Sequence, residues 1–147
     1  MITDSSIEID AAPAVVWEVF TDAERWPEWT ASVTSLVALD GPGIEVGKRF
    51  ELKQPKMPTL VWVVTAVDPG RSWTWEVRSP GGHTLASHEL TDLGGGRTLV
   101  AQRIDQRGPV GTLVGVLMRR LTKRYLQLEA EGLKRTSEQR RHGAAAS

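Results

Sequence analysis

The sequence predicts an α+β fold in which a seven-stranded, curved antiparallel sheet wraps around one long C-terminal helix, with two short helices after strand 1. Three observations lead there. Between about residues 33 and 106, short alternating stretches are separated by Gly- and Pro-rich turns, the grammar of an antiparallel meander. From Val110 the apolar period becomes helical and persists to about residue 138. No other segment is long and apolar enough to cover one face of such a sheet.

The elements follow in order. Residues 2–9 form a strand with Ser5, Ile7 and Ile9 on one face and Glu8 on the other. Pro13 suits the first turn of a helix, in which Val15/Val19 and Val16/Phe20 pair at four-residue spacing. Thr21-Asp22-Ala23-Glu24 matches a capping box that opens a second short helix, and Pro27 interrupts it between Trp26 and Trp29. Strands are then expected over residues 33–39, 48–54, 60–67, 72–79, 83–93 and 97–106. Phe50 and Leu52 share a face, as do Trp73, Trp75 and Val77, whereas residues 60–67 are apolar on both faces and leave their inward side open. Asp68-Pro69-Gly70, Gly81-Gly82 and Gly94-Gly95-Gly96 make the turns, because Pro presets φ and Gly tolerates positive φ. Gly108-Pro109 ends the meander. In the last helix, Val110, Val114, Leu117, Met118, Leu121, Tyr125 and Leu128 form one stripe at steps of three and four. Residues 1–139 read as a single domain and 140–147 as a flexible tail.

Composition bounds the function. The 147 residues suffice for one domain with a core, and 40% apolar with 24% charged residues is ordinary globular usage. Eighteen basic and eighteen acidic side chains cancel, which argues against nucleic acid as a partner, since that affinity comes largely from neutralised phosphates. There is no cysteine, so disulfides, thiolate metal sites and a cysteine nucleophile are excluded, and a cytoplasmic location fits. The first ten residues do not read as a signal peptide, and no stretch is long enough for stable membrane insertion. An exposed edge strand leaves monomer and homodimer both open. Tryptophan is over-used, with six Trp against two Phe and one Tyr, and indoles go where a large apolar surface needs filling.

Several motifs carry a resemblance. Ile9, Ala12-Pro13, Val16-Trp17, Asp22 and Pro27-Glu28-Trp29 stand near the start. Val67-Asp68-Pro69-Gly70-Arg71 leads into Trp73 and Trp75, and Gly95-Gly96-Arg97-Thr98 precedes the last strand. Over nearly its whole length the chain resembles the START/polyketide cyclase-like superfamily, also called SRPBCC or helix-grip proteins. The resemblance implies a deep cavity between sheet and C-terminal helix, and a hydrophobic ligand such as a lipid, sterol or polyketide. It implies no universal catalytic residue, because the superfamily includes binders, transfer proteins and cyclases.

The strand parities and the helical stripe give a candidate ligand-binding wall. It comprises Phe50, Leu52, Trp73, Trp75, Val77, Leu90, Val100 and Ile104 from the sheet, and Val114, Leu117, Met118, Leu121 and Tyr125 from the helix. Trp73 and Trp75 are read as two stacked indoles that could grip a flat ring. His88, Gln102 and Tyr125 share the inward parity and would orient a polar end, and His88 or Tyr125 would be the acid/base of any reaction. No Arg, Lys or carboxylate is expected to face inward, because Glu76, Arg78 and Arg103 fall on the outer parity. His83, His88 and His142 lack metal-site spacing, and neither a metal nor a cofactor is expected. The glycine run 94–96 lacks the helix and Lys of a phosphate loop. The basic residues 119–124 read as a solvated face that could also touch an anionic membrane. Three functions follow as expectations: binding of a small, hydrophobic, ring-containing molecule; a polyketide cyclase/dehydrase-like enzyme acting on such a molecule; or a ligand-free interaction domain.

Overall fold

The computed structural model describes residues 1–146, with side chains over 1–141. The strands are β1 (Ile2–Ile9), β2 (Ser35–Ala38), β3 (Arg49–Lys53), β4 (Leu60–Asp68), β5 (Ser72–Ser79), β6 (Gly82–Gly94) and β7 (Arg97–Arg107). The helices are α1 (Pro13–Thr21), α2 (Trp26–Trp29), α3 (Gly108–Leu117) and α4 (Arg119–Ala146), with a 3-10 turn over Ala23–Arg25. One antiparallel sheet runs in the order β1-β7-β6-β5-β4-β3-β2, so only β1 needs a long connection to reach its place beside β7. The concave face is covered by α4, with α1 and α2 closing one end and α3 lying against β6 and β7. This is the expected α+β architecture of a sheet gripping a C-terminal helix.

Strand parity governs the core. Phe50, Leu52, Trp73, Trp75, Ala86, His88, Leu90, Val100 and Gln102 are all buried, each two residues from the next on its strand. The open question in β4 has a geometric answer. Leu60, Trp62 and Val64 point inward, a bulge between Val64 and Ala66 shifts the register, and Val67 then pairs with Trp73. An extra residue in one strand moves the following side chains to the other face, so no single alternation could describe the segment.

Four local expectations are corrected. The Thr21–Glu24 capping box does not form. The Thr21 hydroxyl donates back to the Trp17 carbonyl at 2.7 Å, and Asp22 makes no side-chain cap. Pro27 sits in the first turn of α2 and starts that helix rather than breaking one, since its missing N–H is free of any helical duty there. Strand β2 is shorter than residues 33–39, because Val33 belongs to a turn in which its N–H bonds to the Thr30 carbonyl.

The fourth correction concerns the last helix, which is two helices. Met118 leaves helical geometry at φ −103°, ψ 13° and divides α3 from α4. The expected stripe is rotated as a result. Val110, Val114 and Leu117 are exposed and Leu121 and Leu128 half-buried, while the buried face runs through Gly111, Gly115, Tyr125, Glu129, Leu133 and Ser137. Glycine is required where helices approach closely. A Cβ on Gly132 would lie 2.1 Å from the Trp29 carbonyl oxygen, so α4 meets α2 only because that position has no side chain. Helix α4 also continues beyond residue 138, where Arg141 pairs with Asp10 at 2.6 Å and Arg140 with Glu18 at 3.8 Å. The rest of the expected tail, from the side chain of His142 to Ser147, lies outside the described residues.

Candidate functional site

A cavity of about 450 Å³ lies between the concave face of the sheet and the helices α3 and α4. Its wall is mainly apolar: Trp26, Leu52, Leu60, Trp62, Trp75, Val77, Ala86, Ile104, Val114, Met118 and Leu126 line it. Pro58, Val110 and Val114 both line the cavity and are exposed, so the mouth opens between the β3–β4 connection and α3. The Tyr125 hydroxyl reaches across from α4 and donates to the Pro55 carbonyl, tying that connection to the helix beside the mouth.

The expected wall divides in two. Leu52, Trp75, Val77, His88, Gln102, Ile104, Val114, Met118 and Tyr125 line the cavity. Phe50, Trp73, Leu90 and Val100 point inward but are buried in the solid part of the core, and Leu117 and Leu121 do not reach the cavity. Trp73 and Trp75 do not stack. Their rings meet edge-on at 4.8 Å and 85°, because residues two apart on a twisted strand stand side by side. Trp73 instead stacks on His88 at 3.8 Å and 14° and packs against Phe20 and Trp26. The indoles that reach the cavity are Trp26, Trp62 and Trp75.

His88 is neutral. Its Nδ1 lies 3.1 Å from the Trp73 carbonyl, which only an Nδ1–H can satisfy. Burial drives its pKa down to about 3, although that hydrogen bond acts in the opposite direction. A base so weakened does not take a proton near neutrality, which removes His88 as a general base there.

The group that sequence reasoning missed is Glu129. It projects from α4 into the cavity wall and is buried, contrary to the expectation that no carboxylate faces inward. Gln102 Nε2 donates to its Oε2 at 2.9 Å, and Ser32 Oγ donates to its Oε1 at 3.3 Å. Thr30 Oγ1, 2.8 Å from Ser32 Oγ, completes a buried hydroxyl chain. Burial outweighs these hydrogen bonds and pushes the Glu129 carboxyl up to about 7. It can therefore hold or release a proton near neutrality. Its signal in the sequence was a four-residue step from Tyr125, a step hidden by ranking helix faces on apolar side chains alone.

Three further polar atoms of the lining residues have no partner among the described residues: Gln102 Oε1, Gln106 Oε1 and Trp62 Nε1. Leaving such groups dry and unpaired costs about 1–3 kcal/mol each. They are two acceptors and one donor on residues that line an apolar space, each atom turned into the surrounding packing. No cluster of three or more metal-ligating side chains occurs among the described residues.

A sheet closed on a long helix around an apolar cavity defines a helix-grip protein. The family model described as polyketide cyclase/dehydrase and lipid transport matches residues 2–138, and the chain belongs to that family. Solved structures are similar throughout. The Zhui aromatase/cyclase from Streptomyces sp. R1128 is 14% identical, with 95% of this chain and 94% of that one covered at a TM-score of 0.77. A START superfamily protein from Mycobacterium smegmatis is 16% identical over 94% and 97% at 0.66. A point mutant of norcoclaurine synthase from Thalictrum flavum, in complex with a transition-state analogue, is 11% identical over 96% of both chains at 0.73. At these identities the likeness concerns the fold. No curated protein sequence matches the chain.

Proposed function

We propose that this protein binds a small hydrophobic, ring-containing molecule, of lipid or polyketide-like character, in the cavity between sheet and α4. The observation that carries this reading is the cavity itself: about 450 Å³, walled by three indoles and aliphatic side chains, within the size range of small-molecule sites. A core that needed only to be filled would not leave such a space, and the ligand-free interaction reading loses its support accordingly. Glu129 and its partner Gln102, both on the cavity wall, supply the polar groups that orient a ligand. The absence of cysteine supports a cytoplasmic setting.

The test uses the indoles. Trp26, Trp62 and Trp75 sit on the wall, so a bound ring system should quench or shift tryptophan emission, and native mass spectrometry should show its mass on the folded protein. Substituting Ala86→Phe fills the cavity from the centre of the sheet. It should abolish the fluorescence change while the protein stays folded. Unchanged binding by that variant would place the ligand elsewhere and defeat the proposal.

A second reading, a cyclase/dehydrase-like enzyme, is favoured by Glu129. A carboxyl poised near neutrality beside an apolar cavity can take a proton from a carbon next to a carbonyl, or give one to a departing hydroxyl. The Glu129→Gln variant separates the two readings. A binder keeps its ligand, whereas an enzyme keeps the ligand and loses turnover.

A further inference from the structure

Helix α3 exposes apolar side chains that its position does not explain. Leu113, Val116 and Leu117 are 59%, 58% and 75% exposed, and their spacing of three and four places them on one helical face. Among the described residues, five of the eleven exposed large aliphatic side chains lie within this ten-residue helix. The other six lie on β1, β2, β4 and β6 and in loops, and exposed aliphatic side chains in such numbers are ordinary for a protein surface. Clustered exposure of this kind marks an interaction surface.

The charges beside the patch say what covers it. Arg119, Arg120, Lys123 and Arg124 follow on the first turns of α4, and all are exposed. No acidic residue stands between Asp105 and Glu129 in the sequence. Among the described residues none of the four cations forms an ion pair, although twelve such pairs occur elsewhere in the molecule. The cations are therefore uncompensated within a chain whose net charge is zero.

We propose that α3 and the start of α4 form a peripheral docking face for an anionic lipid bilayer, with Leu113, Val116 and Leu117 entering the headgroup–acyl boundary and the four cations meeting acidic headgroups. Short apolar insertion next to a basic cluster is the combination that binds such surfaces reversibly. A second copy of this chain is a poorer occupant, because a two-fold contact through the patch would bring two sets of cations together. No helix among the described residues is long and apolar enough to cross a bilayer, so the contact is superficial. Val110 and Val114 of the same helix line the cavity mouth, and docking would set that mouth against the lipid.

Vesicle sedimentation tests this directly. The full chain should pellet with phosphatidylcholine vesicles containing about one third phosphatidylglycerol, and not with pure phosphatidylcholine. Raising salt from about 0.05 to about 0.5 M should release it, because exposed charges are then screened. Arg120→Gln with Arg124→Gln should weaken partitioning about 25-fold, from about fivefold per cation. Leu113→Gln with Leu117→Gln should weaken it without changing the salt response. Both pairs lie on the exposed surface, so thermal midpoints should match wild type, and Arg78→Gln on the outer face of β5 should leave vesicle binding unchanged. No pelleting with anionic vesicles at low salt overturns the proposal, as does undiminished pelleting of both double variants or an equal loss in Arg78→Gln. A patch already covered in a dimer that Leu117→Gln dissolves, or one that binds only an acidic protein, overturns it too.

Discussion

Gln102 Nε2 donates a 2.9 Å hydrogen bond to Glu129 Oε2 across the cavity, from the centre of β7 to the middle of α4. The bond joins the two layers of the fold at a point where both have polar side chains in apolar surroundings. It also leaves Gln102 Oε1 without a partner. When Glu129 is protonated it gains a donor, and a flip of the Gln102 amide would let Oε1 accept it. The pair can thus be satisfied in either protonation state, which is what a carboxyl shifted to about 7 requires.

The first prediction concerns stability against pH. Burial raises the Glu129 pKa from 4.5 to about 7, so between these values the folded state binds more protons than the unfolded chain. Stability from this group is therefore full below about 4.5, declines as pH rises and levels off above about 7. His88 opposes it. Its folded pKa of about 3 lies below the ordinary 6.5, so its contribution is present above 6.5 and lost as pH falls. Asp40 and Glu76, held low by Arg49 and His83, act mainly below this window. The comparison of wild type with Glu129→Gln removes all the shared groups. Denaturant titrations should show the variant gaining relative to wild type from pH 4.5 to 7, by up to roughly 3 kcal/mol. A difference that stays flat over that range means Glu129 is not buried as a shifted acid.

The His88 ring offers a separate reading of the same interior. With Nδ1–H committed to the Trp73 carbonyl and the ring stacked on Trp73, the neutral tautomer is set by geometry as well as by burial. Nitrogen-15 spectra of the histidine rings should show one ring protonated at Nδ1 that does not titrate between pH 8 and about 5. Substituting His88→Ala removes that signal. A titration midpoint near 6.5 for this ring would show that water reaches it.

Much of this arrangement was legible in the sequence, for a physical reason. A strand offers only two faces, so Phe50 with Leu52, Trp73 with Trp75, and Val100 with Gln102 had to point inward together once one member did. Turns declared themselves through glycines that need positive φ, as at Gly70 and Gly95. The long helix was harder. Its covered face mixes Tyr125 and Leu133 with Gly111, Gly115, Glu129 and Ser137, and the last four contribute nothing to an apolar stripe. Small residues signal close approach, and a buried carboxyl signals a site, but both look polar or neutral to a periodicity count. The apolar residues that did form a stripe, Val110, Val114 and Leu117, belong largely to the surface. Likewise Trp26 reaches the cavity from a helix whose start was mistaken for a break at Pro27.

Tyr125 leads to the third prediction. Its hydroxyl donates to the Pro55 carbonyl and fastens the β3–β4 connection beside the cavity mouth. Tyr125→Phe keeps the ring packed and removes only that donor. It should cost about 1 kcal/mol, the usual net worth of such a bond. The larger effect should be local. Amide exchange at Gln54, Lys56 and Met57 should accelerate while the sheet centre stays protected, and ligand exit should speed up with the loosened segment. Equal acceleration across β5 and β6 would show that the bond supports the whole fold instead of the mouth.

The last prediction rests on the meeting of α4 with α2. Glycine in the middle of a helix is unfavourable by about 1 kcal/mol relative to alanine, so Gly132→Ala would stabilise an isolated α4. In the folded protein the new methyl would lie 2.1 Å from the Trp29 carbonyl oxygen and 2.9 Å from its indole, and backbone cannot yield as a side-chain tip can. The helix must move away from α2. That shift also strains the Arg135 hydrogen bond to the same carbonyl, at 3.0 Å, and disturbs Thr30 and Ser32 just beyond it. The packing cost should exceed the gain in helix propensity, leaving Gly132→Ala less stable by about 1–3 kcal/mol. Because Ser32 donates to Glu129, the variant should also change the pH dependence described above, whereas a purely local clash would lower stability equally at every pH. A stabilised Gly132→Ala would mean that α2 and α4 stand further apart than this close approach requires.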